Sequence, residues 1–145
     1  MFNSIDLIAI GRMKAKSIYF PAFQEYQKRL KSNLNIIEFE GQNQKDEIQK
    51  IQSKISPDAA LIVLDEKGKS LSSVEFTKTI EGFDNKKLQI VIGGADGLND
   101  DIRKNADLVL SFGKQTWPHM MARVMIIEQL YRTQQILANH PYHRE

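Results

Sequence analysis

The chain has 145 residues, a formal charge of +2 from 20 Lys and Arg against 18 Asp and Glu, and 41% hydrophobic residues. That length suits one domain, 1–145, able to bury a core unaided, while eight glycines, four prolines and no cysteine exclude collagen-like and disulfide-stapled classes. The longest unbroken apolar run, residues 59–64, is too short to span a bilayer, and the opening MFNSIDLIAIGRMK lacks the leading basic residue of a signal peptide, so the expectation is a soluble cytoplasmic protein with no membrane partner.

Residues 4–10 (SIDLIAI) predict a first strand, ended by Gly11. The next stretch, 11–31, carries +5 in a chain whose 32–111 segment carries −4. Arg12, Lys14 and Lys16 alternate in a short loop there, where they can meet RNA phosphates, although a solvated basic surface has the same pattern. Residues 17–30 predict a helix with Ser17 as N-cap and Pro21 tolerable only in its first turn. Residues 34–40 (LNIIEFE) form a second strand, closed by Gly41, and 45–55 repeats apolar residues at 48, 51 and 55 on one helical face. Residues 59–64 (AALIVL) form a third strand, buried on both faces. Ser72-Ser73-Val74-Glu75 has the form of a capping box opening a helix to about Glu81. Residues 88–92 form a fourth strand, Gly93–Gly97 a turn, 99–105 a short helix and 107–111 a fifth strand. Apolar strands alternating with helices indicate an α/β domain with a parallel sheet covered on both faces.

The last segment, 119–138, predicts a helix about 30 Å long. Met120, Val124, Ile127 and Tyr131 make one stripe, and Met121, Met125, Ile126, Leu130 and Leu137 widen the apolar surface beyond what one sheet requires. A second copy of the chain is the simplest cover, although methionines also serve as core filler.

Several motifs fail on inspection. Gly68-Lys69-Ser70 lacks the earlier glycine of a phosphate-binding loop, since Val63 stands there. Asp65 and Lys114 suggest a receiver domain, but the loop after the first strand is basic where that chemistry needs acids for magnesium. His119, His140 and His143 have no cysteines or suitably spaced carboxylates around them, so no metal is expected. What remains is a ligand-binding α/β domain with loops at 65–70, 93–97 and 112–118, outside the carboxyl ends of parallel strands.

The segments IGGADGL (92–98), LSFGKQTWPH (110–119), Arg123-Val124, EQLYR (128–132) and the closing NHPYHRE (139–145) together resemble the ribosomal RNA large subunit methyltransferase H family, the pseudouridine-N3 methyltransferases of the SPOUT class. The resemblance covers essentially the whole chain. It implies a parallel α/β fold with a C-terminal trefoil knot, a homodimer, and S-adenosylmethionine as methyl donor. Donor-binding positions implied are Leu64, Gly93, Gly94 and Phe112, Gly113, Lys114, Gln115, Thr116 and Trp117, with Pro118 shaping the loop. The substrate implied is a pseudouridine in a 23S rRNA helix loop on the assembled ribosome, not DNA. Tyr142, His143 and Arg144 would handle it, with His143 the best base by its ordinary pKa. Gly113 and Trp117 depart from the serine and smaller apolar residue common in relatives. A SPOUT enzyme for another RNA and a non-catalytic RNA-binding dimer are the competing possibilities. The terminal Tyr-His-Arg argues against the first and the intact strand-end loops against the second.

Overall fold

The computed structural model describes residues 2–144. In chain order the elements are β1 (Ser4–Ile10), α1 (Phe20–Arg29), β2 (Asn33–Phe39), α2 (Gln44–Gln52), β3 (Ala60–Ser70), α3 (Ser73–Glu81), β4 (Lys87–Ile92), α4 (Asp100–Asn105), β5 (Leu108–Ser111) and α5 (His119–Leu137). All strands pair in parallel, in the order β2-β1-β4-β3-β5.

Alternation along the strands explains the two cores. Ile5, Leu7 and Ala9 of β1 join Ile62 and Ile90 beneath α1, α3 and α5, where Phe23, Phe76, Ile126, Ile127 and Leu130 pack. Ile8 and Ile10 face the other way and join Leu61, Val63 and Val91 beneath Ile48 and Ile51 of α2 and Ile102 of α4. The helix starts follow local chemistry. Asn43 and Asn99 accept from the backbone N–H of Asp46 and Ile102, and Ser72 with Glu75 closes the expected capping box with bonds of 3.1 and 2.9 Å.

Three expectations need correction. Ser17 does not cap α1: its backbone N–H bonds the Lys14 carbonyl and its Oγ accepts from Tyr19, so residues 14–19 are turns and the helix starts at Phe20. The face α5 fully buries is Arg123, Ile126, Ile127, Leu130 and Thr133; of the stripe Met120, Val124, Ile127 and Tyr131, Ile127 is buried and Val124 and Tyr131 pack partly against the core. Choosing that face by apolarity alone overlooks Arg123, whose charge is accommodated by partners on other elements. The third strand does not stop at Leu64. Leu64 and Lys69 both register with Leu110, so Asp65–Gly68 is extruded between two stretches of β3 that flank β5. The Gly68-Lys69-Ser70 motif is thus strand and carries no phosphate loop.

Two consequences locate the site. The chain leaves β1 toward α1 on one face and leaves β4 toward α4 on the other, which opens a crevice at their carboxyl ends. Gly68 brings β3 against β5 so closely that a Cβ would lie 2.6 Å from the Val109 carbonyl oxygen. Gly68→Ala should therefore cost about 3 kcal/mol or more through backbone displacement, read as a lowered urea midpoint.

Candidate active site

A cleft of about 390 Å³ opens where β3, β4 and β5 end. It is lined by the apolar residues Leu64, Leu98, Leu110 and Phe112, by the glycine turn Gly93–Gly97, and by Gln115, Thr116 and Trp117 of the loop before α5. Seven of the ten donor-site positions expected from the sequence line it: Leu64, Gly93, Gly94, Phe112, Gln115, Thr116 and Trp117. Gly113, Lys114 and Pro118 do not. They shape the same loop from outside, Pro118 standing at the N-cap of α5.

That loop is closed on itself. The Trp117 indole N–H donates to the Phe112 carbonyl at 3.1 Å, while Ser111 Oγ accepts from Gly113 N–H at 3.1 Å and donates to the Gly113 carbonyl at 2.8 Å. Gly113 has φ +102°, a region L side chains rarely adopt, which accounts for glycine at this position. Trp117 remains 39% exposed and forms an aromatic rim. On the far side of the glycine turn, a Cβ on Gly94 would sit 2.9 Å from a Glu47 carboxylate oxygen, so the Glu47 side chain of α2 lies close over this glycine.

The sequence argument missed the clamp on the extruded loop. Arg103 of α4 donates to Asp65 at 2.8 Å, to the Leu98 carbonyl at 2.9 Å and to Asp100 at 2.8 Å, so one guanidinium ties β3, the glycine turn and α4 together. Asp65 stood out as an acid after a strand, but nothing in the spacing indicated an arginine 38 residues away. Asp65 therefore sits in an ion pair with Arg103, and no receiver-type pairing with Lys114 is formed.

A second network lies beside the cleft, in the crevice between β1 and β4. Arg123, 1% exposed, pairs with Glu38 of β2, donates to the Gly11 carbonyl at 2.9 Å, and donates through Nε to His119 Nε2 at 2.9 Å. Glu38 also accepts the Met13 N–H at 2.7 Å. With Nε2 accepting from Arg123, the neutral His119 ring carries its proton on Nδ1. Burial, and then the Arg123 charge, push the ring pKa down to about 4, against smaller opposing effects from the Gly93 backbone and Glu38.

The expected RNA contacts and the tail occupy different places. Arg12, Lys14 and Lys16 are exposed at the carboxyl end of β1, with Arg12 Nε 3.6 Å from Glu40. Tyr142 and His143 fold back onto α5. The Tyr142 hydroxyl donates to Glu128 at 2.9 Å, its ring meets Tyr131 edge-on at 4.8 Å, and Arg132 lies 4.8 Å over it. Burial and the Glu128 carboxylate hold the Tyr142 phenol well above its ordinary pKa, so it serves as a hydrogen-bond donor. Arg132 Nη1 donates to His143 Nδ1 at 3.0 Å, and Arg144 is exposed. Glu128 and Arg132 are six and ten residues beyond Ala122, which lines the cleft, so the tail docks about 9–15 Å further along the helix axis. Within one chain, tail and cleft are not brought together.

The neutral His119 has a measurable consequence. Between pH 6.5 and about 4 the unfolded chain takes up a proton that the folded ring refuses. This contribution is intact above pH 6.5 and is lost as pH falls toward 4, by up to about 3 kcal/mol. Urea midpoints across that range should fall more steeply for the natural chain than for His119→Asn.

A family model described as "Predicted SPOUT methyltransferase" matches residues 4–143. The chain is 43% identical to the ribosomal RNA large subunit methyltransferase H of Mesorhizobium japonicum, over 97% of this chain and 98% of that protein. Against the protein of the same name from Rhodospirillum centenum it is 40% identical, over 95% and 97%. The fold is also that of a probable methylase family protein from Haemophilus influenzae (TM-score 0.56, 10% identity, covering 93% of this chain and 66% of that one). It is shared with the SpoU methyltransferase AviRb from Streptomyces viridochromogenes, solved in complex with AdoMet (TM-score 0.51, 14% identity, covering 94% and 59%). Matched along nearly its whole length, the chain belongs to the ribosomal RNA large subunit methyltransferase H family of SPOUT methyltransferases.

Proposed function

We propose that the protein transfers a methyl group from S-adenosylmethionine to N3 of a pseudouridine in a 23S rRNA helix loop, acting as a cytoplasmic homodimer on the assembled ribosome. The observation that carries this reading is the strand-end cleft, built from the family's donor-site positions in a chain matched end to end by relatives of that name. The lining suits such a donor. Leu64, Leu98, Leu110 and Phe112 offer apolar walls for a flat base, and the glycine turn offers backbone donors and acceptors. Asp65, Glu66 and Asp96 outnumber Lys67 and Arg103 among the charged lining residues, which favours a cationic ligand without phosphate.

When bound, the donor supplies an electrophilic methyl carbon on a sulfonium. The pyrimidine N3 forms the new bond to that carbon, the electron pair of the broken carbon–sulfur bond stays on sulfur, and the N3 proton leaves to a base. The chain's task is to align the two partners and accept or relay that proton. His143 is our candidate base and Arg144 our candidate for neutralising developing charge or phosphate, with Tyr142 anchoring the tail through Glu128. Since tail and cleft lie apart within one chain, the composite site is completed by the tail of a second copy. Met121 and Met125, only partly buried on α5, and Ile18, 83% exposed, supply apolar surface for that dimer. The close β3–β5 approach at Gly68 is consistent with a knotted C-terminal half.

Purified protein, S-adenosylmethionine and ribosomes lacking the modification should yield one added methyl at a 23S rRNA pseudouridine, mapped by mass spectrometry. Methylation of another RNA instead would replace the substrate assignment, and failure to bind the donor would favour a non-catalytic RNA-binding dimer. Truncation after Pro141 should abolish transfer while leaving donor affinity within about twofold; normal turnover would remove the tail from the mechanism. Neutralising Arg12, Lys14 and Lys16 together should weaken ribosome binding and flatten its salt dependence by up to about three units of log–log slope.

A further inference from the structure

We propose that Trp117 is the platform on which a base of the substrate RNA stacks as it comes to the bound donor, an assignment that rests on the methyltransferase reading above. Trp117 is the chain's one tryptophan and lines the cleft, yet it stays 39% exposed. Its indole N–H, the side chain's sole polar group, already donates to the Phe112 carbonyl at 3.1 Å, so what the solvent meets is chiefly aromatic hydrocarbon. The ring is also held in place. Ser111 closes the same loop through both backbone groups of Gly113, and Pro118 follows directly, which restricts the Trp117 backbone to extended conformations. An aromatic ring left in water and held rigid loses little freedom when a flat partner covers it.

Exposure separates this ring from the surfaces suited to the donor. Leu98 and Leu110 are 7% and 3% exposed and Leu64 and Phe112 are partly buried, so the apolar lining that fits the donor's own base is more enclosed than Trp117. Methyl transfer by direct displacement brings the pyrimidine N3 to the methyl carbon from the side opposite sulfur, with the reacting atoms about 3 Å apart. A nucleotide that close to a donor in the cleft passes the exposed residues of its lining. Charge selects which of them it passes. The β3 segment and the glycine turn bring three acids, Asp65, Glu66 and Asp96, against Lys67, and so repel phosphate, whereas residues 112–118 contain Lys114 and no acid. Lys114, exposed three residues before Trp117, supplies a cation for the phosphate of the nucleotide that stacks. Unpaired loop bases are the RNA element that an exposed aromatic side chain recognises, because every base offers a π-face.

Three substitutions distinguish a π-face from bulk. Phenylalanine keeps a ring and loses the bond to the Phe112 carbonyl, leucine keeps apolar bulk without a ring, and alanine removes both. With donor saturating, Trp117→Leu and Trp117→Ala should raise the KM for ribosomes lacking the modification by about fivefold or more, while kcat stays within about threefold. Trp117→Phe should hold that KM within about threefold of the natural chain. S-adenosylhomocysteine affinity, by calorimetry, should stay within about twofold in all three, and urea midpoints measured alongside report folding. If the alanine variant does not fold, the comparison of phenylalanine with leucine decides. Because the chain has a single tryptophan, fluorescence reads the site directly, and acrylamide should quench it as efficiently with S-adenosylhomocysteine bound as without. Protection from acrylamide by S-adenosylhomocysteine, or weakened S-adenosylhomocysteine binding in place of a raised ribosome KM, would overturn the proposal and give the ring to the donor's adenine. A phenylalanine variant no better than leucine would overturn it as well. If the natural chain methylates no RNA, the methyltransferase reading falls and this inference with it; normal methylation by the natural chain with an unmoved KM in Trp117→Leu defeats the inference alone.

Discussion

A buried arginine organises the carboxyl-terminal edge of this sheet. Arg123 enters from α5 with its charge removed from water, and that desolvation is offset only by a convergent set of acceptors: Glu38 from β2, the Gly11 carbonyl after β1, and His119 one turn earlier on the same helix. Those contacts fix the entry of α5 into the crevice between β1 and β4. Because the helix is a rigid body, they also fix where Ile126, Ile127 and Leu130 meet the core and where Ala122 meets the cleft. The imidazole is kept neutral chiefly by burial, and further because a protonated ring would stand beside the Arg123 guanidinium without a carboxylate of its own.

The cleft has a parallel construction, with a second arginine in the corresponding role. Arg103 binds Asp65, the Leu98 carbonyl and Asp100, and so holds the extruded Asp65–Gly68 segment against the glycine turn. With the Trp117 and Ser111 bonds closing the opposite loop, hydrogen bonds hold the two polar sides of a cleft whose apolar residues pack against the cores. This suits a site that must hold a ligand with both a flat apolar part and a positive charge. The methyltransferase assignment therefore rests on a preformed cavity whose chemistry matches the family to which the chain belongs.

The tail shows how position along one helix can dictate assembly. Tyr142 and His143 dock on Glu128, Tyr131 and Arg132, beyond the part of α5 that touches the cleft. In the proposed dimer, the tail of one copy would reach the cleft of another. The partly buried methionines of α5 would supply interface surface in that proposed dimer, since the helix has more apolar residues than it buries within its own chain.

Much of this was legible in the sequence because it depends on local periodicity and local capping. The strands, the Ser72–Glu75 capping box, the glycine turn and the three strand-end loops follow from residue spacing within windows of about ten residues. Resemblance supplied the family and seven of the residues that line the cleft. Ser17 takes part in a local turn with Lys14 and Tyr19, whereas two of the misplacements share one cause: β3 continues past Leu64 and α5 buries Arg123 because of partners remote in the chain, Leu110 for Lys69 and Glu38 and Gly11 for Arg123. Asp65 and Arg103, 38 residues apart, form their clamp for the same reason. The sequence by itself determined which segments become strands and helices and which loops gather at one edge of the sheet, since these are set by backbone preference and apolar alternation. Only the tertiary structure decided which polar side chains are buried, and with whom, because the cost of burying a charge is settled by the acceptors that folding brings to it.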